Sequence, residues 1–99
     1  MDDFDTLNGE AERLRIDLLE SELESTRTLI ELTHRELQQG NSADTAQGLI
    51  HVHQGIETIR EFIGRISSRQ NQARLTEKLA QLEAAAAQLG RDSQKKQNR

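Results

Sequence analysis

Three histidines, His34, His51 and His53, are the side chains of this sequence best suited to metal or acid–base chemistry. Imidazole binds transition metals through either ring nitrogen and titrates near neutrality, so a convergent set would sense a metal or pH. The spacing works against such a set. On a helix, His51 and His53 point about 200° apart, whereas helical zinc sites use i,i+3 or i,i+4 spacing. His34 comes near the height of His51 only if the chain folds back on itself, and no clear carboxylate joins them as a third ligand. A metal- or pH-sensing protein working through His34 and His51 is therefore the remotest of the functional readings. The chain has no cysteine, which excludes thiolate ligands and disulfides.

The carboxylates offer no better start. Glu20 with Glu24 has the i,i+4 spacing of an ordinary solvated helix face, and Glu22 stands near Arg15 and Arg27 in the same way. An acid pair that cleaves a substrate needs a cleft, which a narrow helical hairpin does not supply. No phosphate-cradling glycine loop, nucleophile elbow or His-Glu-x-x-His segment occurs. The expectation is a protein that is not an enzyme and holds no cofactor.

What the composition supports is helix. Of 99 residues, 33% are apolar, and only 24 of those are large (Leu, Ile, Val, Phe, Met). That supply suits elongated helices with a narrow seam rather than a sphere with a ligand cavity. Proline is absent, aromatics amount to 2%, and Leu, Glu, Gln, Arg and Ala are abundant. All of this favours helix over sheet.

The net charge of −4 conceals a gradient. Residues 1–36 hold eleven acids and four bases, whereas residues 68–99 hold three acids and seven bases. The basic end, with Arg91, Lys95, Lys96 and Arg99, is small beside an acidic body that has no aromatic platform for bases, so nucleic acid is not an expected partner. No stretch approaches the ~18 apolar residues of a membrane span, and the acidic start lacks the features of a secretory leader. The default expectation is a cytoplasmic protein without membrane attachment.

Helix signals place three segments, at about residues 9–39, 43–66 and 69–89, in a single domain over residues 1–90. A polar, basic tail over 91–99 is expected to be disordered. Gly40 stands where a left-handed residue would end the first helix, and Asn41-Ser42 opens the second. Ser67-Ser68-Arg69-Gln70 contains a capping-box pattern for the third. Gly90 is a natural stop for it.

The heptads carry the strongest signal. Helix one presents Ile16, Leu19, Leu23, Thr26, Ile30, Thr33 and Leu37, and helix two presents Thr45, Leu49, Val52, Ile56, Ile59, Ile63 and Ile66. Folded about Asn41, the two sets meet at matching heights, as with Leu23 and Ile59 or Thr33 and Leu49. Two unrelated helices have no reason to share such a mirror, so a long antiparallel hairpin is expected. Gly48, Gly55 and Phe62 recur every seven residues beside the helix-two seam. Glycine weakens a helix by roughly 0.5–1 kcal/mol against alanine, so two at one heptad position point to close approach of another backbone.

Helix one carries a second stripe about 120° from the first, formed by Leu7, Ala11, Leu14, Leu18, Leu29 and Leu32 and interrupted by Glu22 and Ser25. The third segment has its own seam of Leu75, Leu79, Leu82, Ala86 and Leu89. Two arrangements fit. Either the chain bends at Ser67-Ser68 and lays this seam against the second stripe of helix one, or a helical arm offers its leucines to another chain. The architecture is thus all-α: a helical hairpin plus a third helix, with coiled-coil-like packing, as a bundle or a hairpin with an arm.

The hairpin is similar in outline to tetratricopeptide helix pairs. It lacks the 34-residue period and the Trp, Tyr and Pro positions of that repeat, and no residue role carries over. The function these features favour is a non-catalytic interaction or assembly module. Its binding residues would be drawn from Leu7, Leu14, Leu18, Leu29 and Leu32 and from Leu75, Leu79, Leu82 and Leu89. The partner would be another protein or a second copy, making a homodimer possible. The alternative is a purely structural homo-oligomer that uses its surplus stripe on itself.

Overall fold

The computed structural model describes the backbone of residues 3–97 and the side chains of residues 9–96. It contains three helices, α1 (Asp3–Gln38), α2 (Ser42–Ile63) and α3 (Arg69–Gln97). They run up, down and up as a slender bundle with extents of 65 × 18 × 15 Å. The fold is all-α, with α1 and α2 forming the expected hairpin.

The hairpin turn satisfies the carbonyls that α1 leaves open. Gly40 has φ +80°, which a residue with a Cβ adopts at a cost. Its N–H donates to Leu37 O at 3.1 Å, and Asn41 N–H donates to Glu36 O at 3.0 Å. This pair of bonds is a Schellman motif. Asn41 then opens α2, with its side chain turned back to Glu36 Oε2 at 2.6 Å.

Along the hairpin the mirrored seams are buried except at Ile16, Ile30 and Leu49, which are half-buried. Leu19, Leu23, Thr26, Thr33 and Leu37 of α1 are covered, as are Thr45, Val52, Ile56, Ile59 and Ile63 of α2. Gly48 and Gly55 mark the tightest contact. A Cβ at Gly48 would stand 2.2 Å from Thr33 Oγ1, and one at Gly55 would stand 2.6 Å from Thr26 Oγ1. The close approach expected from the glycine period is thus to two threonines one heptad apart on α1. Thr33 Oγ1 donates to Leu29 O at 2.7 Å, so its polar atom is satisfied within its own helix.

Three boundaries differ from the sequence expectation. First, α1 begins at Asp3 rather than near residue 9. Second, α2 stops at Ile63 rather than Ile66, because the chain must reverse there. Arg65 N–H and Ile66 N–H bond back to Phe62 O and Ile63 O, while Gln72 Nε2 donates to Ile63 O at 3.1 Å. Ile66 still plugs the core from this corner. Ser68 opens α3, its Oγ accepting from Asn71 N–H at 3.3 Å, one residue later than a capping box on Ser67 would place it.

Third, α3 does not stop at Gly90. It continues to Gln97, so residues 91–97 are helix and not a disordered tail, while residues 98 and 99 lie outside the described ones. Tertiary contact explains the extension. Ser93 is buried, and Lys96 Nζ donates to Leu37 O at 2.6 Å, serving a carbonyl at the end of α1.

The third helix folds back within the chain. Leu75, Leu79, Leu82, Ala86 and Leu89 are all buried, and the first four join Leu19, Leu23 and the α2 isoleucines in one core. Side chains tie α3 to both neighbours. Arg60 meets Glu83 at 3.1 Å, and Glu20 accepts from Arg74 and stands 3.6 Å from Lys78. The helix therefore sits in the valley between α1 and α2, and it does not cover the second stripe of α1.

Candidate functional site

That second stripe is the exposed apolar face of the molecule. Leu14, Leu18 and Leu32 are 63%, 67% and 48% exposed, although the seam leucines of the same helix are nearly sealed. A continuous helix positions them. Heptad spacing sets Ala11, Leu18, Ser25 and Leu32 in one row, and Leu14, Ser21, Thr28 and Arg35 in the row beside it. Leu29 lies at the edge of this face, partly buried and packed against the core. The face points away from α3, since α3 is met by Glu20 on another side of α1.

The nine leucines expected to bind a partner therefore divide. Leu14, Leu18 and Leu32 are open to solvent, and Leu29 is half-closed. Leu7 lies outside the residues whose side chains are described. Leu75, Leu79, Leu82 and Leu89 are spent in the intrachain core, so none is free for another molecule. The reason is the bend at residues 64–68, which turns the α3 seam inward against both other helices.

Two further large apolar side chains are exposed on α2. Phe62 is 41% exposed, with Arg65 Cζ stacked 4.8 Å from its ring centre, and Ile50 is 51% exposed. Neither extends into a stripe of its own.

The histidines are dispersed. His34 lines a shallow open trough between α1 and α3 with Gln88 and Asp92. His51 and His53 are exposed on α2, and His51 Nε2 lies 3.1 Å from Gln47 Nε2. Among the described residues no three His, Asp or Glu side chains gather as metal ligands.

The trough continues along α1 and α3 past Glu20, Glu24, Arg27, Lys78 and Gln81. Long solvated side chains form its rims over a shallow apolar floor of Leu23, Ile30, Leu82 and Ala85, and no convergent set of buried polar groups is there to fix a small ligand. Within it, the hydrogen bond from Arg74 holds the Glu20 carboxyl below the usual carboxylate range, against an opposing effect of partial burial and with help from Lys78. Glu20 thus remains ionised, and its work is to clamp α3 to α1.

No known family, characterised protein or solved structure matches the chain. No described helix is long and apolar enough to cross a membrane.

Proposed function

We propose that this protein is a non-catalytic interaction module that docks a partner helix on the outward leucine face of α1. The observation that supports the reading is the open state of Leu14, Leu18 and Leu32, each about half exposed or more, in a chain whose other seam leucines are buried, or half-buried at Leu49. A groove is not required. A partner helix laid along α1 would match its heptads and remove these leucines from water, at roughly 25 cal/mol for each Å² covered.

Site-specific photocrosslinking in the native cell tests the assignment. A photoreactive residue replacing Leu18 should form protein adducts, and one replacing Thr76, exposed on α3, should form few. Adding Leu14→Glu and Leu32→Glu should remove the Leu18 adducts. Equal adducts at Leu18 and Thr76, or adducts indifferent to the glutamates, would overturn the reading.

A further inference from the structure

The flanks of the leucine face restrict what can lie on it. Taking Ala11, Leu18, Ser25 and Leu32 as one seam row, the positions immediately before them are Glu10, Asp17, Glu24 and Glu31. All four are exposed, and none takes part in an ion pair among the described residues. The row on the other flank is Arg15, Glu22, Leu29 and Glu36. The seam is apolar at Ala11, Leu14, Leu18 and Leu32, small and polar at Ser21, Ser25 and Thr28, and closed by Arg35 at its end. It is bordered by acids at six of eight flanking positions and favours a complementary border on whatever covers it.

A second copy of α1 does not provide one. In an antiparallel pair the all-acidic row would face its own copy. In a parallel pair Asp17 of one chain would approach Glu22 of the other, and Glu31 would approach Glu36; only Glu10 would find an Arg15. Like charges at flanking positions discourage both registers. The seam also narrows at Ser21, Ser25 and Thr28, where a self-pair would set small polar groups against each other.

We infer that the occupant of this face is a basic amphipathic helix of another protein, with Lys or Arg at the positions flanking its apolar seam. Opposite Ser21 and Ser25 it carries large apolar side chains, which fill the space the serines leave. This rests on the reading of the leucine face as a docking surface and adds the chemistry of the partner to it.

Two synthetic four-heptad peptides of identical composition test the inference on the full chain. Both carry a leucine seam; one places its lysines beside the seam, the other on the far side of the helix. Fluorescence anisotropy at ~50 mM salt should show the first binding about tenfold tighter or more, a gap that narrows at ~500 mM salt as screening grows. Asp17→Lys with Glu24→Lys should reverse the order of the two peptides.

Equal binding of the peptides, abolished for both by Leu14→Ser with Leu18→Ser, would overturn the basic-partner inference and leave the leucine face standing. Binding that ignores the leucine changes would overturn both. No binding by either peptide, or a wild-type chain that sediments as a dimer dispersed by Leu18→Glu, would also overturn the inference.

Discussion

The two apolar faces of α1 share one helix and one heptad period, yet one is sealed and the other open. On the sealed face, Thr26 and Thr33 meet Gly55 and Gly48, and the missing Cβ atoms let α2 come close at these two heights. On the open face, serines and a threonine interrupt the leucines, and carboxylates border them. Period alone therefore does not decide burial within the chain. The residues beside the seam contribute: small ones at Gly48 and Gly55 admit α2, and paired charges such as Glu20 with Arg74 accompany α3, whereas the acids beside the open face have no ion-pair partner among the described residues.

The largest effect expected is on the sealed side. Ile59 and Leu75 are fully buried, from α2 and α3. Either one changed to alanine should cost about 2–5 kcal/mol, whereas Leu18→Ala on the open face should cost under about 1. Urea melts followed by far-UV circular dichroism give the comparison directly. A small effect of Leu75→Ala beside a large one of Ile59→Ala would mean that α3 is not part of the same cooperative core.

A smaller effect probes the glycine contact. Gly48→Ala should destabilise by roughly 1–3 kcal/mol despite the higher helix propensity of alanine, because its methyl group would meet three atoms of Thr33. Gly55→Ala should cost less, since only Thr26 Oγ1 stands closer than 3.4 Å to the added carbon. Thr33→Ala placed in the Gly48→Ala background should recover part of the loss, a coupling that a double-mutant cycle measures. Equal costs for the two glycines would place the point of closest approach elsewhere.

These contrasts follow what was legible in the sequence. The hairpin could be read because both seams, the turn glycine and the glycine period lie within two consecutive helices, so local spacing sets the register. The path of α3 could not. The first α3 leucine, Leu75, comes nine positions after Ile66, and only the corner made by Gly64, Ile66 and Ser68 settles which way the seam turns. The end of α3 was hidden for a similar reason. Gly90 favours a stop locally, but burial of Ser93 and the bond from Lys96 to Leu37 O favour helix, and both are tertiary contacts. The open leucine stripe was visible in the sequence; that α3 would leave it uncovered was not. The acidic border was also present in the spacing of Glu10, Asp17, Glu24 and Glu31, but it acquires meaning only once the face beside it is known to be open.

The smallest effect concerns the clamp between α1 and α3, and pH gives it a signature. Glu20 accepts a hydrogen bond from Arg74, which lowers its carboxyl from the ordinary 4.5 in the folded chain. A carboxyl lowered on folding stabilises the fold at pH values above its unfolded pKa. That stability fades as pH falls through 4.5 toward the folded value, because the unfolded chain then takes up the proton first. Glu20 is 40% exposed, so water screens the pair, and Glu20→Gln should cost under about 1 kcal/mol at pH 7. At about pH 3 the wild type and Glu20→Gln should melt much closer together in urea, and salt should narrow the gap at pH 7 in the same way. A gap of equal size at both pH values would show that Glu20 contributes by shape and packing, and that charge does not hold α3 against α1.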